Sequence, residues 1–225
     1  MKFSVTMQCK SLFLALSLVL FVSTNASSQA VDYDSMSKTD LQKKIATFGL
    51  GLDSYIVGKK LTVAQLEISK KDRDYKAYPG TVKFKDGDVF VISDIKSNVV
   101  IAVYKRNKDA NKNDFKVVIS GLMLQYGEPT TEAHGKTIYW NYGEDGFITE
   151  ELYRTVKSQG QLEKLIVLAT VKFTSSENVA TMTDMIDAMD KKNKEKDVDV
   201  KNEDVTSDQY VMIQSDLLTQ KYMKK

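Results

Sequence analysis

The chain has 225 residues, of which 28% are charged and 42% hydrophobic, with 32 Lys and Arg against 30 Asp and Glu. A charge this evenly balanced gives no global electrostatic reason to seek nucleic acid or an anionic membrane. A single cysteine and a single histidine exclude a disulfide framework and leave too few ligands for a Cys/His zinc site.

Residues 1–30 differ from the rest. Lys2 and Lys10 give a basic start, SLFLALSLVLFV (residues 11–22) is apolar, and small-residue sites end at Ala26 and Ala30. That order reads as a secretory signal peptide. The apolar run is about 12 residues against the roughly 20 a spanning helix needs, so cleavage is expected rather than a retained anchor. Cys9 precedes the apolar run, whereas an acylated lipoprotein cysteine follows it. Cleavage would remove that cysteine. It would also remove Lys2 and Lys10, two of the 32 basic residues, leaving 30 against 30. The remaining chain, about 195 residues, is long enough to bury about 70% of its unfolded surface.

The mature chain opens on a polar stretch in which Ser37 and Asp40 resemble a capping box. Leu41, Ile45, Phe48 and Leu52 then recur at helical spacing, with Gly49 and Gly51 ending or kinking the helix. Thr62 and Gln65 form a second capping box, opening a helix expected to turn Val63, Leu66 and Ile68 inward. The period changes to two in TVKFKDGDVFVISD (residues 81–94), where Asp86-Gly87 between alternating runs predicts a hairpin turn. VVIAVY (residues 99–104) is apolar nearly throughout, as a central strand covered on both faces would be. Residues 105–114 read as a polar connection.

A helix over residues 113–126 follows, with Phe115, Val118, Ile119, Leu122 and Tyr126 as its buried stripe and Gly127 as its C-cap. Residues 136–142 form a strand of β-branched and aromatic residues, and GEDG (residues 143–146) turns the chain. Ile148, Leu152 and Val156 recur at helical spacing up to Gly160. Residues 164–173 read as a second central strand. Val179, Met182, Met185, Ile186 and Met189 suit one helical stripe. Residues 190–209 form a mostly charged segment expected to be mobile. Tyr210 to Ile213 turns apolar again, so a strand and a short helix over residues 210–225 are expected to return to the domain. The methionines that cluster late, including Met212 and Met223, are expected to serve packing. The whole predicts a leader (1–30) and one α+β domain (31–189) with a mostly antiparallel sheet, N-terminal helices and a helix packed on one face.

Leu122, Tyr126, Gly127, Pro129, Thr130 and Trp140 set out a helix, a YGxPT stop and an aromatic strand. This stretch resembles a module of small bacterial envelope proteins, those with the layout of the outer-membrane assembly lipoprotein and β-lactamase-inhibitor-like families. The resemblance implies a non-catalytic binding or assembly role and carries over no functional residue.

Reactive motifs are scarce. Asp109, Asn111 and Asn113 alternate as a calcium loop begins, but the sixth and twelfth positions are Asp114 and Ser120 rather than Gly and Glu. Ser35 and Ser93 each begin an S-x-x-K with no partner motif. No nucleophile elbow, phosphate loop or dinucleotide fingerprint is present. His134, in a turn, is a candidate general base but reads as a solvent-facing turn residue, since no serine motif accompanies it. Trp140 on an alternating strand reads as core or half-buried face. Glu144 and Asp145, with Glu150 and Glu151 near, form a possible carboxylate pair.

The candidate site residues are therefore Tyr126, His134, Tyr139, Trp140, Glu144, Asp145 and Glu150. The expected function is an exported, non-enzymatic bacterial envelope protein that binds a protein or envelope component. It needs no cofactor, metal or nucleic acid, and makes no stable membrane insertion after signal cleavage. The competing expectation is a hydrolase of a cell-envelope or extracellular polymer using Glu144, Asp145 or Glu150. A third is a small apolar ligand held between helix and sheet.

Overall fold

The computed structural model describes residues 32–71, 73–74, 77–176 and 207–224. The leader, the helical stripe at Val179 to Met189 and the charged segment ahead of Ser207 lie outside the described residues. In chain order the elements are α1 (Lys38–Ala46), β1 (Gly51–Leu52), β2 (Tyr55–Ile56), α2 (Val63–Lys71), β3 (Thr81–Asp86), β4 (Val89–Asp94) and β5 (Val100–Ala110). Then come α3 (Lys112–Tyr126), β6 (Thr131–Ala133), β7 (Thr137–Gly143), β8 (Gly146–Phe147), α4 (Glu150–Ser158), β9 (Ala169–Ser175), β10 (Ser207–Gln214) and α5 (Asp216–Met223). The fold is α+β. An eight-stranded sheet runs β3-β4-β5-β10-β9-β7-β6 with β8 paired to β7, and its pairings are antiparallel.

Period-two alternation gives this sheet two unlike faces. Phe84, Val91, Val103, Ile213, Val171 and Trp140 are successive cross-strand partners, and the most exposed of them, Phe84, is 2% accessible. They form the centre of the core. The β1–β2 hairpin covers this face through Tyr55, whose ring meets Phe84 edge-on at 5.9 Å. Helix α3 covers it through Phe115, edge-on to Phe173 at 5.5 Å.

Helix α1 crosses the end of the sheet where β4 and β7 finish. Lys38 reaches Asp94 at 3.1 Å, and the Lys44 ammonium donates to the Glu144 carbonyl at 3.0 Å. Gly58 lets the chain pass against this helix. With φ +87° it takes a conformation that favours glycine, and a Cβ there would stand 2.5 Å from the Gln42 carbonyl oxygen. The same end of the sheet holds a polar cluster. Buried Asp94 accepts from the Tyr222 hydroxyl at 2.7 Å and from the Lys96 and Ser97 N–H groups. Gln42 donates to Tyr222 at 3.0 Å. One carboxylate thus ties α1, the β4–β5 turn and α5 together.

Several sequence expectations change. The first helix stops at Ala46, and Leu52 belongs to β1, because the positive φ of Gly49 ends the helical run. Helix α2 carries its capping box, with Thr62 N–H donating to Gln65 and Gln65 N–H to Thr62. Leu66 and Ile68 pack partly buried against the core, but Val63 is 79% exposed, since the face that turns inward carries Gln65, whose amide donates to the Ser54 carbonyl and hydroxyl oxygens, both at 3.0 Å.

The hairpin loop is Gly87-Asp88, one residue later than expected. Asp86 pairs with Val89, and of the two loop residues only Gly87 has a positive φ. Residues 105–110 are strand rather than connection, because β10 supplies their backbone partners. Strand β9 begins at Ala169, not at 164. Strand β10 begins at Ser207, ahead of the apolar run, and lies between β5 and β9. Helix α4 has no buried residue, and Leu152 is 46% exposed.

Candidate functional site

Helix α3 is capped at its start and tied to neighbouring elements at its end. At its start the Asn111 side chain accepts from the Asn113 and Asp114 N–H groups at 2.8 and 3.0 Å, and Asp114 accepts from the Asn111 N–H at 2.9 Å. This capping box satisfies donors a helix start leaves open. Asn111 and Asp114, two of the calcium-loop positions, are engaged in it. At its end Gly127 takes φ +80°. The Trp140 indole N–H donates to the Gly127 carbonyl at 2.7 Å, and the Tyr126 hydroxyl donates to the Gly51 carbonyl at 2.9 Å.

A groove of about 500 Å³ runs along the flank of this helix, beside its buried stripe of Phe115, Ile119 and Leu122. Val117, Val118, Gly121, Leu122 and Gln125 form the helical wall. Lys105, Asn107, Gln209 and Val211, from β5 and β10, form the sheet side, and Leu52 and Asp88 close it. The volume falls within the range of small-molecule pockets, and the wall is apolar with a few polar groups.

Three features shape the groove. Gly121 sits in mid-helix, and a Cβ added there would meet nothing within 4 Å. A better helix former would cost nothing sterically, so the glycine leaves space. The cations are already paired. Lys105 contacts Asp53 at 3.0 Å. Arg106 forms a two-pronged contact with Asp208, Nε to Oδ1 at 2.9 Å and Nη2 to Oδ2, and its hydrogen bond holds the Asp208 carboxyl below the usual carboxylate range. Gln209 is 3% exposed, and its Oε1 has no hydrogen-bond partner among the described residues. Nearby the strand register slips, since β5 advances from Asn107 to Ala110 while β10 advances from Gln209 to Ser207. Such a bulge locally re-aims side chains.

The opposite sheet face carries a different row. Lys85, Phe90, Tyr104, Met212, Lys172 and Tyr139 are successive cross-strand partners. Phe90 stacks on Tyr104 with centroids 4.7 Å apart and planes 8° off parallel, and Tyr104 meets Tyr210 at 5.2 Å. Lys85 lies 5.4 Å over the Phe90 ring. Burial, helped by Tyr104 and Tyr78, pushes the Tyr210 phenol up to about 12.

None of the seven residues singled out from sequence lines the groove. Tyr126 and Trp140 come together at the end of α3, where both hold backbone, and burial lifts the Tyr126 phenol to about 12. Tyr139 stands at the end of the second-face row. His134 is exposed in the β6–β7 turn, with φ +55°. Glu144 and Asp145 are exposed in the β7–β8 turn. The Tyr33 phenol, raised first by burial, is raised further by its hydrogen bond to Glu144. Glu150, exposed on the first turn of α4, pairs with Arg154 at 2.6 Å.

Sequence reasoning missed Gly121 and Gln209. Gly121 carried a signal, a helix-weakening residue amid good helix formers. Gln209 carried none, because its significance depends on strands far apart in the chain. Among the described residues no cluster of three His, Cys, Asp or Glu side chains is placed to hold a metal ion. No described helix is long and apolar enough to cross a membrane. No protein-family model, curated protein or solved structure matches the chain.

Proposed function

We propose that the chain is an exported, non-enzymatic binding module of a bacterial cell envelope, and that the groove beside α3 is where it binds. The observation that carries this reading is the open flank of α3 at Gly121, set over a sheet side that offers amide groups and whose cations, Lys105 and Arg106, are already paired. A helix whose purpose was packing alone would gain stability from a side chain there. Export rests on the leader-like order of residues 1–30.

Two experiments test the two halves. Small uncharged probes, isopropanol, acetamide and phenol, are titrated against the methyl-labelled protein. Shifts are expected to concentrate on Val117, Val118, Leu122 and Val211 and to vanish in Gly121→Trp. Shifts spread evenly over the surface would remove the groove from consideration. For export, bacterial expression followed by fractionation and N-terminal sequencing is expected to give an envelope-located chain beginning after Ala26 or Ala30. Full-length protein confined to the cytoplasm would contradict it. Turnover of an envelope polymer by the purified chain, lost in Glu144→Gln, would replace binding with catalysis.

A further inference from the structure

We infer that the groove selects an uncharged ligand that pairs an apolar part with an N–H or O–H donor, and that Gln209 is the residue that reads the donor. The inference rests on the groove being the working site, as proposed above, and adds the chemistry of its occupant.

Alternation puts the Gln209 side chain on the α3 side of β10, two residues before Val211 and opposite Asn107. Its amide orientation is fixed by its neighbour. The Ser207 hydroxyl gives its proton to the Ala110 carbonyl at 3.3 Å, an oxygen that can only accept. Ser207 is then left to accept, so the Gln209 Nε2 must face it, at 3.2 Å. The Oε1 is thereby turned away from Ser207, buried and without a partner among the described residues.

A buried carbonyl in that state retains the desolvation penalty that a donor would relieve. Nearby polar side chains do not supply one. Lys105 and Arg106 are held by Asp53 and Asp208. A donor brought by a ligand would meet an unpaired acceptor, while Val118, Leu122 and Val211 would receive its apolar part. A carboxylate would place a negative charge beside the carbonyl dipole. An ammonium would have to shed its hydration beside Gln209, where no carboxylate stands to replace it, because the lining's acid, Asp88, is exposed in the β3–β4 turn. The selected occupant is therefore neutral.

Four probes of similar length and different head group decide the matter by methyl and side-chain amide NMR titration of the full domain: hexanamide, methyl pentanoate, hexanoate and hexylammonium. Hexanamide is expected to shift the Val118 and Val211 methyls and the Gln209 amide, and to bind roughly tenfold more tightly than the ester, which accepts but cannot donate. The two ions are expected to bind more weakly than hexanamide. Gln209→Met, which keeps length and removes the acceptor, is expected to bring hexanamide down to the ester's affinity and leave the ester unchanged. Equal binding of amide and ester to the unmodified protein would overturn donor recognition while leaving the groove as a binding site. Tightest binding of either ion would overturn neutrality. Failure of all four to perturb the groove would overturn the functional reading on which the inference stands. These comparisons need no variant to fold.

Discussion

The two faces of the sheet are built by the same six strands, with rows offset by a single residue. On one, Phe84, Val91, Val103, Ile213, Val171 and Trp140 are sealed beneath α3 and the β1–β2 hairpin. On the other, Phe90 stacks on Tyr104 and Lys85 lies over the Phe90 ring, in a row that continues through Met212, Lys172 and Tyr139. Backbone pairing is common to both rows, so the difference lies in what stands above them. A covered row gains from removal of apolar area on every side, while a half-covered row gains from lateral contact. The groove lies on the covered side, where α3 leaves its flank open. It therefore interrupts an otherwise sealed face.

The comparison is broken most severely at Trp140. Trp140→Ala removes a fully buried ring and the donor to Gly127, and is expected to destabilise by about 3–5 kcal/mol in urea denaturation. Tyr139→Ala, one residue away on the other face, should cost less than about 1.5 kcal/mol. Equal costs would mean that the second face is sealed too.

Asp94 comes next. Burial pushes its carboxyl up, but the Ser97 backbone N–H, the Tyr222 hydroxyl and the Lys38 ammonium outweigh burial and hold it down at about 2. A folded value below the unfolded one, near 4, means that its stabilisation is complete above about pH 4 and is lost as pH falls toward 2. Asp94→Asn should cost about 2 kcal/mol at neutral pH and flatten the stability profile over that acid range. A variant whose stability falls with acid as steeply as the parent would assign the effect to other carboxylates.

Phe90→Ala should cost about 1–2 kcal/mol, since it removes a stacked but half-exposed ring. The smallest effect has the opposite sign. Gly121→Ala is expected to stabilise by about 0.5–1 kcal/mol, because the site is helical and the new methyl meets nothing. Thermal unfolding would reveal it, and a loss of stability would mean that the helix flank is less open than its geometry says.

Local features were legible where their physics is local. The Thr62–Gln65 box and the Gly127 stop depend on groups within a few residues, and each is found where its residues stand. The inward turn of Val63 was not legible. Gln65 wins that burial through hydrogen bonds to Ser54, a partner outside its helix. The polar run from Lys105 to Ala110 looked like loop because no side chain in it seeks the core until Ala110. Its strand character comes from hydrogen bonds with β10, about a hundred residues later. The seven residues that stand out in the sequence are aromatic or reactive types. The groove is made instead of valines, amides and a glycine that are ordinary one by one.

The sequence by itself determined the α+β class, the alternation that sorts each strand into two faces, and the caps that bound α2 and α3. These follow from periodicity and from bonds spanning a few residues. Only the tertiary structure decided that the last strand lies between β5 and β9, which face is sealed, and that Gln209 keeps an unpaired oxygen. Backbone pairing is indifferent to side-chain identity, so which distant strands become neighbours, and what their meeting leaves unsatisfied, is settled when the whole chain packs.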